Sequence, residues 1–143
     1  LRPLTEQGRD KMKDIASALK ELDVKPDLIV SSPYVRAQQT AEILAKVLKY
    51  KQELTFSDAL VPMGNADNII GEINEKYSVD ELGLVGHEPC FSRLISMLIA
   101  GNPDLNINIK DGGVCCLSSD DLHTERKAVL EWLLTPKILT ELA

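Results

Sequence analysis

Two short runs of the sequence carry residues that could bind a phosphoryl group. Residues 31–40 read SSPYVRAQQT and residues 85–89 read VGHEP. Each run follows an apolar stretch, turns through small residues, reaches a proline where a helix can open, and presents one cation, Arg36 or His87. A guanidinium matches phosphate oxygens with a rigid fork of donors, and a protonated imidazole also donates to them. Because a helix start adds free N–H groups, we expect Arg36 and His87 to clamp one phosphoryl group.

The same residues have plainer interpretations. Arg36 could be a surface arginine that pairs with Glu42 or another carboxylate, and His87 could be a buried structural histidine bonded to a carbonyl. Two carboxylates are candidate general acids, Glu88 beside His87 and Asp58 after a short strand. Because adjacent residues at a strand end usually diverge, we expect Glu88 to point away from His87.

Three neighbouring positions have predicted local roles. Ser32 is expected to cap a helix whose first residue is Pro33. Gly86 would let a ligand approach the backbone closely, since it lacks a side chain. His123, the other histidine, falls in an acidic polar loop and is expected to be solvated.

Alternating helices and strands must position these turns. Strands directly followed by helices are typical of parallel βα units, which bind ligands beyond the carboxyl ends of their strands. The sequence therefore predicts an α/β fold with Arg36 and His87 at one edge of a sheet. The predicted helices span 5–22, 34–49, 65–77 and 89–100, with a short one after Thr135-Pro136, and the predicted strands span 27–31, 53–56, 82–85, 114–117 and 128–134, the last two as an antiparallel hairpin.

The bulk properties exclude several classes of partner. The 143 residues predict one domain with a real core. A net charge of −6 argues against a nucleic acid, and no apolar run is long enough to span a membrane. The three cysteines, Cys90, Cys115 and Cys116, are odd in number and match no metal motif, so we expect reduced thiols in a cytoplasm.

Together, the two runs resemble the histidine phosphatase superfamily (phosphoglycerate mutase-like), most closely its SixA-type phosphohistidine phosphatases. The run Arg2-Pro3-Leu4-Thr5 followed by Gly8, and the segment 134–137, are similar to that family as well. The resemblance implies one domain over 1–143 with a three-layer α/β/α fold and a mostly parallel central sheet. It implies Arg36 and His87 as catalytic, phosphate-binding residues with Arg2 at the rim, and neither a cofactor nor a metal.

The resemblance also implies a two-step reaction. A histidine of an Arg-His-Gly run on the family's first strand attacks phosphorus, and water then hydrolyses the phosphohistidine. The sequence contains no such run. We expect the natural protein to carry this strand and its nucleophile upstream of Leu1.

The substrate expected from the resemblance is a phosphorylated protein histidine. No large insertion between Thr40 and Val85 could build a lid, which favours an open site for a protein side chain. Two alternatives remain open: a small-molecule phosphomonoester phosphatase, and a non-catalytic domain that binds phosphorylated partners.

Overall fold

The computed structural model describes residues 2–120, 122 and 128–143, and these form an alternating α/β chain. A short 3-10 turn, Asp58–Leu60, follows the second strand and was not predicted. The helices are α1 (Glu6–Glu21), α2 (Val35–Val47), α3 (Ala66–Lys76), α4 (Cys90–Ala100) and α5 (Pro136–Leu142), and the strands are β1 (Leu28–Ser31), β2 (Thr55–Phe56), β3 (Leu82–Val85), β4 (Val114–Ser118) and β5 (Val129–Leu134).

Capping residues set several of the helix boundaries. Thr5 accepts a hydrogen bond from the Gly8 amide at the start of α1, and Asn65 and Thr135 cap α3 and α5 in the same way. Gly101 ends α4 in the left-handed conformation, with φ of 77°. Such caps satisfy backbone groups that a helix end leaves unpaired, so these helices begin and end where the sequence predicts.

Two local predictions are wrong. Helix α2 begins at Val35 rather than at Pro33, and its N-cap residue, Tyr34, makes no side-chain capping bond. Ser32 is therefore not the helix cap: its hydroxyl accepts from the Tyr34 amide two residues later, which closes a tight turn before the helix. The helical spacing of apolar residues also places Leu22 on the buried face of α1, but Leu22 is the C-cap residue beyond Glu21 and is 42% exposed.

The strands form two separate groups. Strand β1 lies in the middle of a parallel sheet ordered β2-β1-β3, and Ser31 at its carboxyl end is opposite Val85 of β3. Strands β4 and β5 form an antiparallel hairpin with an irregularity after Cys116. The predicted parallel βα units and the predicted hairpin are therefore both confirmed.

Two apolar cores lie on opposite sides of the strands, which confirms the three-layer α/β/α prediction. One core joins α1, α2 and α5, and the other joins α3, α4 and the 3-10 turn. The hairpin contributes Trp132 to the first core and Leu117 to the second, so it lies in the same middle layer as the parallel sheet.

The middle layer is incompletely filled beside β3. Three of the four β1 residues are buried, whereas all four residues of β3 remain partly exposed. Within the described residues, β3 pairs with β1 alone and the hairpin pairs only with itself. Among the residues that the structure describes, a parallel sheet and a hairpin therefore lie in one layer with no strand recorded between them.

The remaining predictions concern His123, the cysteines, membrane spans and metal clusters. His123, predicted to be solvated, lies outside the described residues. All three cysteines are described and are free thiols. In the described ranges, no helix has the length and apolar character to cross a membrane, and no cluster of three His, Cys, Asp or Glu side chains is arranged to hold a metal ion.

Candidate active site

The two sequence runs meet at the carboxyl ends of β1 and β3. The Ser32 amide donates to the Val85 carbonyl over 2.8 Å, which extends the pairing one residue beyond the strands. In the turn that follows β3, His87 Nε2 lies 2.9 Å from the Ser32 hydroxyl. His87 therefore contacts the turn that leads into α2, the helix that carries Arg36.

The imidazole of His87 lies in a partly enclosed, mixed environment. The Tyr34 ring is 5.3 Å from it, centroid to centroid, and tilted by 54°. Burial lowers the pKa of His87 below its ordinary value, while the nearby carboxylate of Asp111 acts in the opposite direction with a smaller effect. Near neutral pH the unliganded ring is therefore neutral, and a bound anion would favour its protonation.

Arg36 is exposed in the first turn of α2, beside the N-terminal segment. Its Nε donates to the main-chain carbonyl of Arg2 over 3.0 Å, and the Leu4 amide donates to Gln39 Oε1 over 2.7 Å. These two bonds dock the segment containing Arg2 against α2, so both guanidinium-bearing residues lie at the same end of the sheet. In the described part of the chain, Arg36 has no ion pair with Glu42.

Glycine at position 86 is explained by packing. A Cβ there would lie 2.7 Å from Phe91 Cζ and 3.1 Å from the Leu60 carbonyl oxygen. The space where a side chain would project is filled by protein, so on that side the glycine does not admit a ligand, contrary to the expectation from sequence. Close packing of the Phe91 ring instead fixes the turn that carries His87.

The Glu88 carboxylate bonds to Ser92 in the first turn of α4 rather than to the imidazole. The Ser92 amide donates to Glu88 Oε1 over 2.7 Å, and the Ser92 hydroxyl donates to Oε2. The same hydroxyl lies 3.3 Å from the Ile107 carbonyl oxygen, so Glu88 also connects the His87 turn to the loop before β4. Asp58, the other candidate acid, is exposed at the start of the 3-10 turn, two residues after the end of β2.

Sequence reasoning missed three neighbours of His87. It assigned Ser32 to helix capping, although a serine at the end of a strand adjacent to a histidine turn could have been paired with that histidine. It gave no role to Tyr34, which only the turn geometry brings over the ring. Asp111 had no usable signal, because it lies 24 residues along the chain from His87 in an irregular loop.

Comparison with known proteins identifies the family and the fold. Residues 2–67 match the model of the histidine phosphatase superfamily (branch 1). An uncharacterized protein of Picosynechococcus sp. is 30% identical over 143 residues, covering 93% of this chain and 86% of that protein. The structure of the protein histidine phosphatase SixA complexed with tungstate superposes with a TM-score of 0.80 at 24% identity, covering 97% of this chain and 87% of that one. The alpha-ribazole phosphatase of Shigella flexneri gives 0.76 at 16% identity, covering 94% and 85%.

The fold defines an α/β protein in which the turn that leads to Arg36 and the turn that bears His87 meet at the carboxyl edge of a parallel sheet. The chain belongs to the histidine phosphatase superfamily. Its enzyme class is accordingly a phosphatase, a hydrolase of phosphorylated substrates, as the sequence predicts.

Proposed function

We propose that the protein is a phosphohistidine phosphatase of the SixA type, which removes phosphate from a phosphorylated histidine of a partner protein. The observation that carries this proposal is the contact between Ser32 and His87. It joins the two runs that bear Arg36 and His87 at one sheet edge. A tetrahedral oxyanion bound there would be neutralised by a guanidinium from α2 and a donor from the β3 turn.

The proposal assigns each cation a separate task. Arg36 binds the phosphoryl oxygens through the guanidinium N–H groups that its bond to the Arg2 carbonyl leaves free. His87 donates to another oxygen from the opposite turn. Arg2, held beside Arg36, extends the positive rim. Phosphoryl transfer depends chiefly on such positioning and charge neutralisation, so these residues suffice to bind the transferred group once a nucleophile is present.

The nucleophile, in this proposal, is a histidine on a strand that precedes Leu1 and lies between β3 and the hairpin. The partly exposed β3 and the unpaired hairpin in the same layer support this placement. The histidine nitrogen would form a bond to phosphorus as the bond from phosphorus to the substrate imidazole breaks, and the leaving imidazole takes up a proton. Water then attacks phosphorus, breaks the enzyme's N–P bond and releases inorganic phosphate.

A protein substrate fits the openness of the proposed site. Tyr34 is 37% exposed and Val35 43%, and Arg36 follows them on the surface of α2. At the end of the neighbouring strand β2, Phe56 is 44% exposed. A rim this open admits a side chain displayed on another protein. The three free thiols support a reducing compartment such as the cytoplasm.

The likeness to an alpha-ribazole phosphatase keeps a small phosphomonoester as the second candidate substrate. To separate the two, the natural full-length protein would be assayed on a phosphohistidine-bearing protein and on a panel of small phosphomonoesters. We expect turnover of the first and an acid-labile phosphoenzyme. Turnover of small esters alone would exclude the protein substrate. Binding of phosphorylated protein without turnover would leave a non-catalytic binding domain.

Arg36→Ala tests the anion site directly. Removing charge-assisted hydrogen bonds worth about 1.5–3 kcal/mol should weaken tungstate binding roughly 10- to 100-fold by calorimetry. Arg9→Ala is the matched control, because it removes the same charge from an exposed position of α1. Equal affinities in the wild type and Arg36→Ala would remove Arg36 from the site.

A further inference from the structure

We propose that Ser32 is a positioning residue for His87, which holds the ring with Nε2 against its hydroxyl and directs Nδ1 to the anion. The orientation follows from the described contacts alone. The identity of the group that meets Nδ1 rests on the proposed function.

The Ser32 oxygen is itself held in place. Ser32 has no exposed surface, and its amide is bonded to the Val85 carbonyl at 2.8 Å. Its hydroxyl oxygen accepts from the Tyr34 amide over 3.2 Å and lies 2.9 Å from His87 Nε2. Main-chain groups from both sides of the turn thus fix the oxygen that meets the ring. A partner that cannot move can select one orientation of the imidazole.

The hydroxyl also selects a tautomer. A serine hydroxyl has one proton and two acceptor lone pairs, and the Tyr34 amide uses one of those lone pairs. Among the described residues, His87 Nε2 is the one acceptor recorded for the hydroxyl proton. When the imidazole is neutral, Nε2 therefore accepts and the ring proton resides on Nδ1. When it is protonated, Nε2–H donates to the remaining lone pair, and Nδ1 still carries a proton.

In both charge states, then, Nδ1–H is the donor that remains for a phosphoryl oxygen. The Tyr34 ring is tilted over the imidazole, with the two ring centroids 5.3 Å apart, and so limits rotation of the imidazole about its Cβ–Cγ bond. This arrangement gives the site a fixed donor near neutral pH, where the unliganded ring is neutral. A histidine without such a partner could present a bare nitrogen, which would repel the anion.

Nitrogen-15 NMR of the natural full-length protein tests the orientation without any ligand. We expect wild-type His87 to be protonated at Nδ1 near neutral pH, with its signals assigned by their loss in His87→Gln. In Ser32→Ala, we expect the signals to move towards the other tautomer. Ser31→Ala is the matched control: it removes a second fully buried serine hydroxyl, which donates to the Ser32 carbonyl and has no recorded bond to His87 among the described residues. That variant should keep the wild-type signals.

Tungstate titration supplies the second readout. Losing one neutral hydrogen bond should weaken tungstate binding about fivefold in Ser32→Ala and leave Ser31→Ala unchanged. A wild-type ring protonated at Nε2 would overturn the proposal, and that measurement holds even if Ser32→Ala fails to fold. Unchanged ring signals in a folded Ser32→Ala would also overturn it. If the tautomer behaves as expected while tungstate binds to no variant, the proposed function fails and the positioning role stands.

Discussion

Single residues at the candidate site combine a structural contact with a proposed chemical role. Ser32 closes the turn before α2 and also meets the His87 ring. Arg36 holds the segment around Arg2 through Nε, while the rest of its guanidinium stays exposed. Because one side chain does both tasks, substitutions here need matched controls to separate lost folding from lost binding.

The lowered pKa of His87 makes the stability of the fold depend on pH. The unfolded imidazole titrates near about 6.5, and the folded one titrates lower because it is partly buried. The contribution to stability is therefore fully present above that unfolded value and is lost as the pH falls through the folded pKa, since the unfolded state then binds more protons. Asp111 reduces the effect without reversing it.

We expect urea unfolding to show this as a loss of stability between about pH 7 and about pH 5.5 that is smaller in His87→Gln than in the wild type. His123 is present in both proteins, so its own titration cancels in the comparison. Saturating tungstate should make the wild type lose less stability on acidification than it loses without tungstate, because a bound dianion favours the charged ring. A variant with the same pH dependence as the wild type would contradict the burial of His87.

At this scale, the sequence predicted the residue types but not their contacts. Arg36 and His87 were proposed because each lies in a short run where an apolar stretch is followed by a turn of small residues and a proline. The bond between Ser32 and His87, and the influence of Asp111, join residues 55 and 24 positions apart. No local pattern encodes such distances, so only the folded backbone reveals them.

Among the elements, the turn between β3 and α4 bears the most constraints. Phe91 fills the space beside Gly86. The Glu88 carboxylate accepts hydrogen bonds from both the amide and the hydroxyl of Ser92. The Ile107 carbonyl lies 3.3 Å from the same hydroxyl and brings the loop before β4 to this turn. The element holds His87 by packing on one side and hydrogen bonding on the other.

Glu88→Gln distinguishes an anchoring role from acid catalysis. The amide keeps one acceptor for the Ser92 amide but cannot accept from the Ser92 hydroxyl, so we expect about 1–3 kcal/mol lower stability. Turnover should remain close to the wild-type value, whereas loss of a general acid would reduce kcat about 100- to 10,000-fold. Ser92→Ala should cost a similar amount of stability, and the double variant should be non-additive. A large fall in kcat with unchanged stability would make Glu88 the acid.

Element boundaries were predictable wherever a cap determines them. Thr5, Asn65 and Thr135 cap their helices in the structure, and Gly101 ends α4. The start of α2 was misplaced because Ser32 followed by Pro33 is also a helix-start signature, and the turn uses the serine differently. Competition between two local uses of one hydroxyl is not resolved by sequence alone.

For the whole molecule, layer order followed from the alternation of helices and strands, and the resemblance had implied a strand that these residues do not contain. The fold adds the position of the break, between the parallel sheet and the hairpin. The hairpin packs against both cores without pairing to β3. Unpaired strand edges inside a layer leave backbone donors and acceptors without partners, which is costly unless another strand covers them.

Hydrogen exchange on the natural full-length protein tests whether a strand occupies this position. If it does, amides of both β3 and β4 should exchange as slowly as those of the central strand β1, because each would be paired on two sides. Strand β2 is the internal control, since its single recorded partner is β1 and its outer edge should exchange quickly. Exchange of β3 and β4 at the rate of the β2 edge would mean that no strand joins the two groups. The proposed histidine nucleophile would then have to reach Arg36 and His87 from elsewhere.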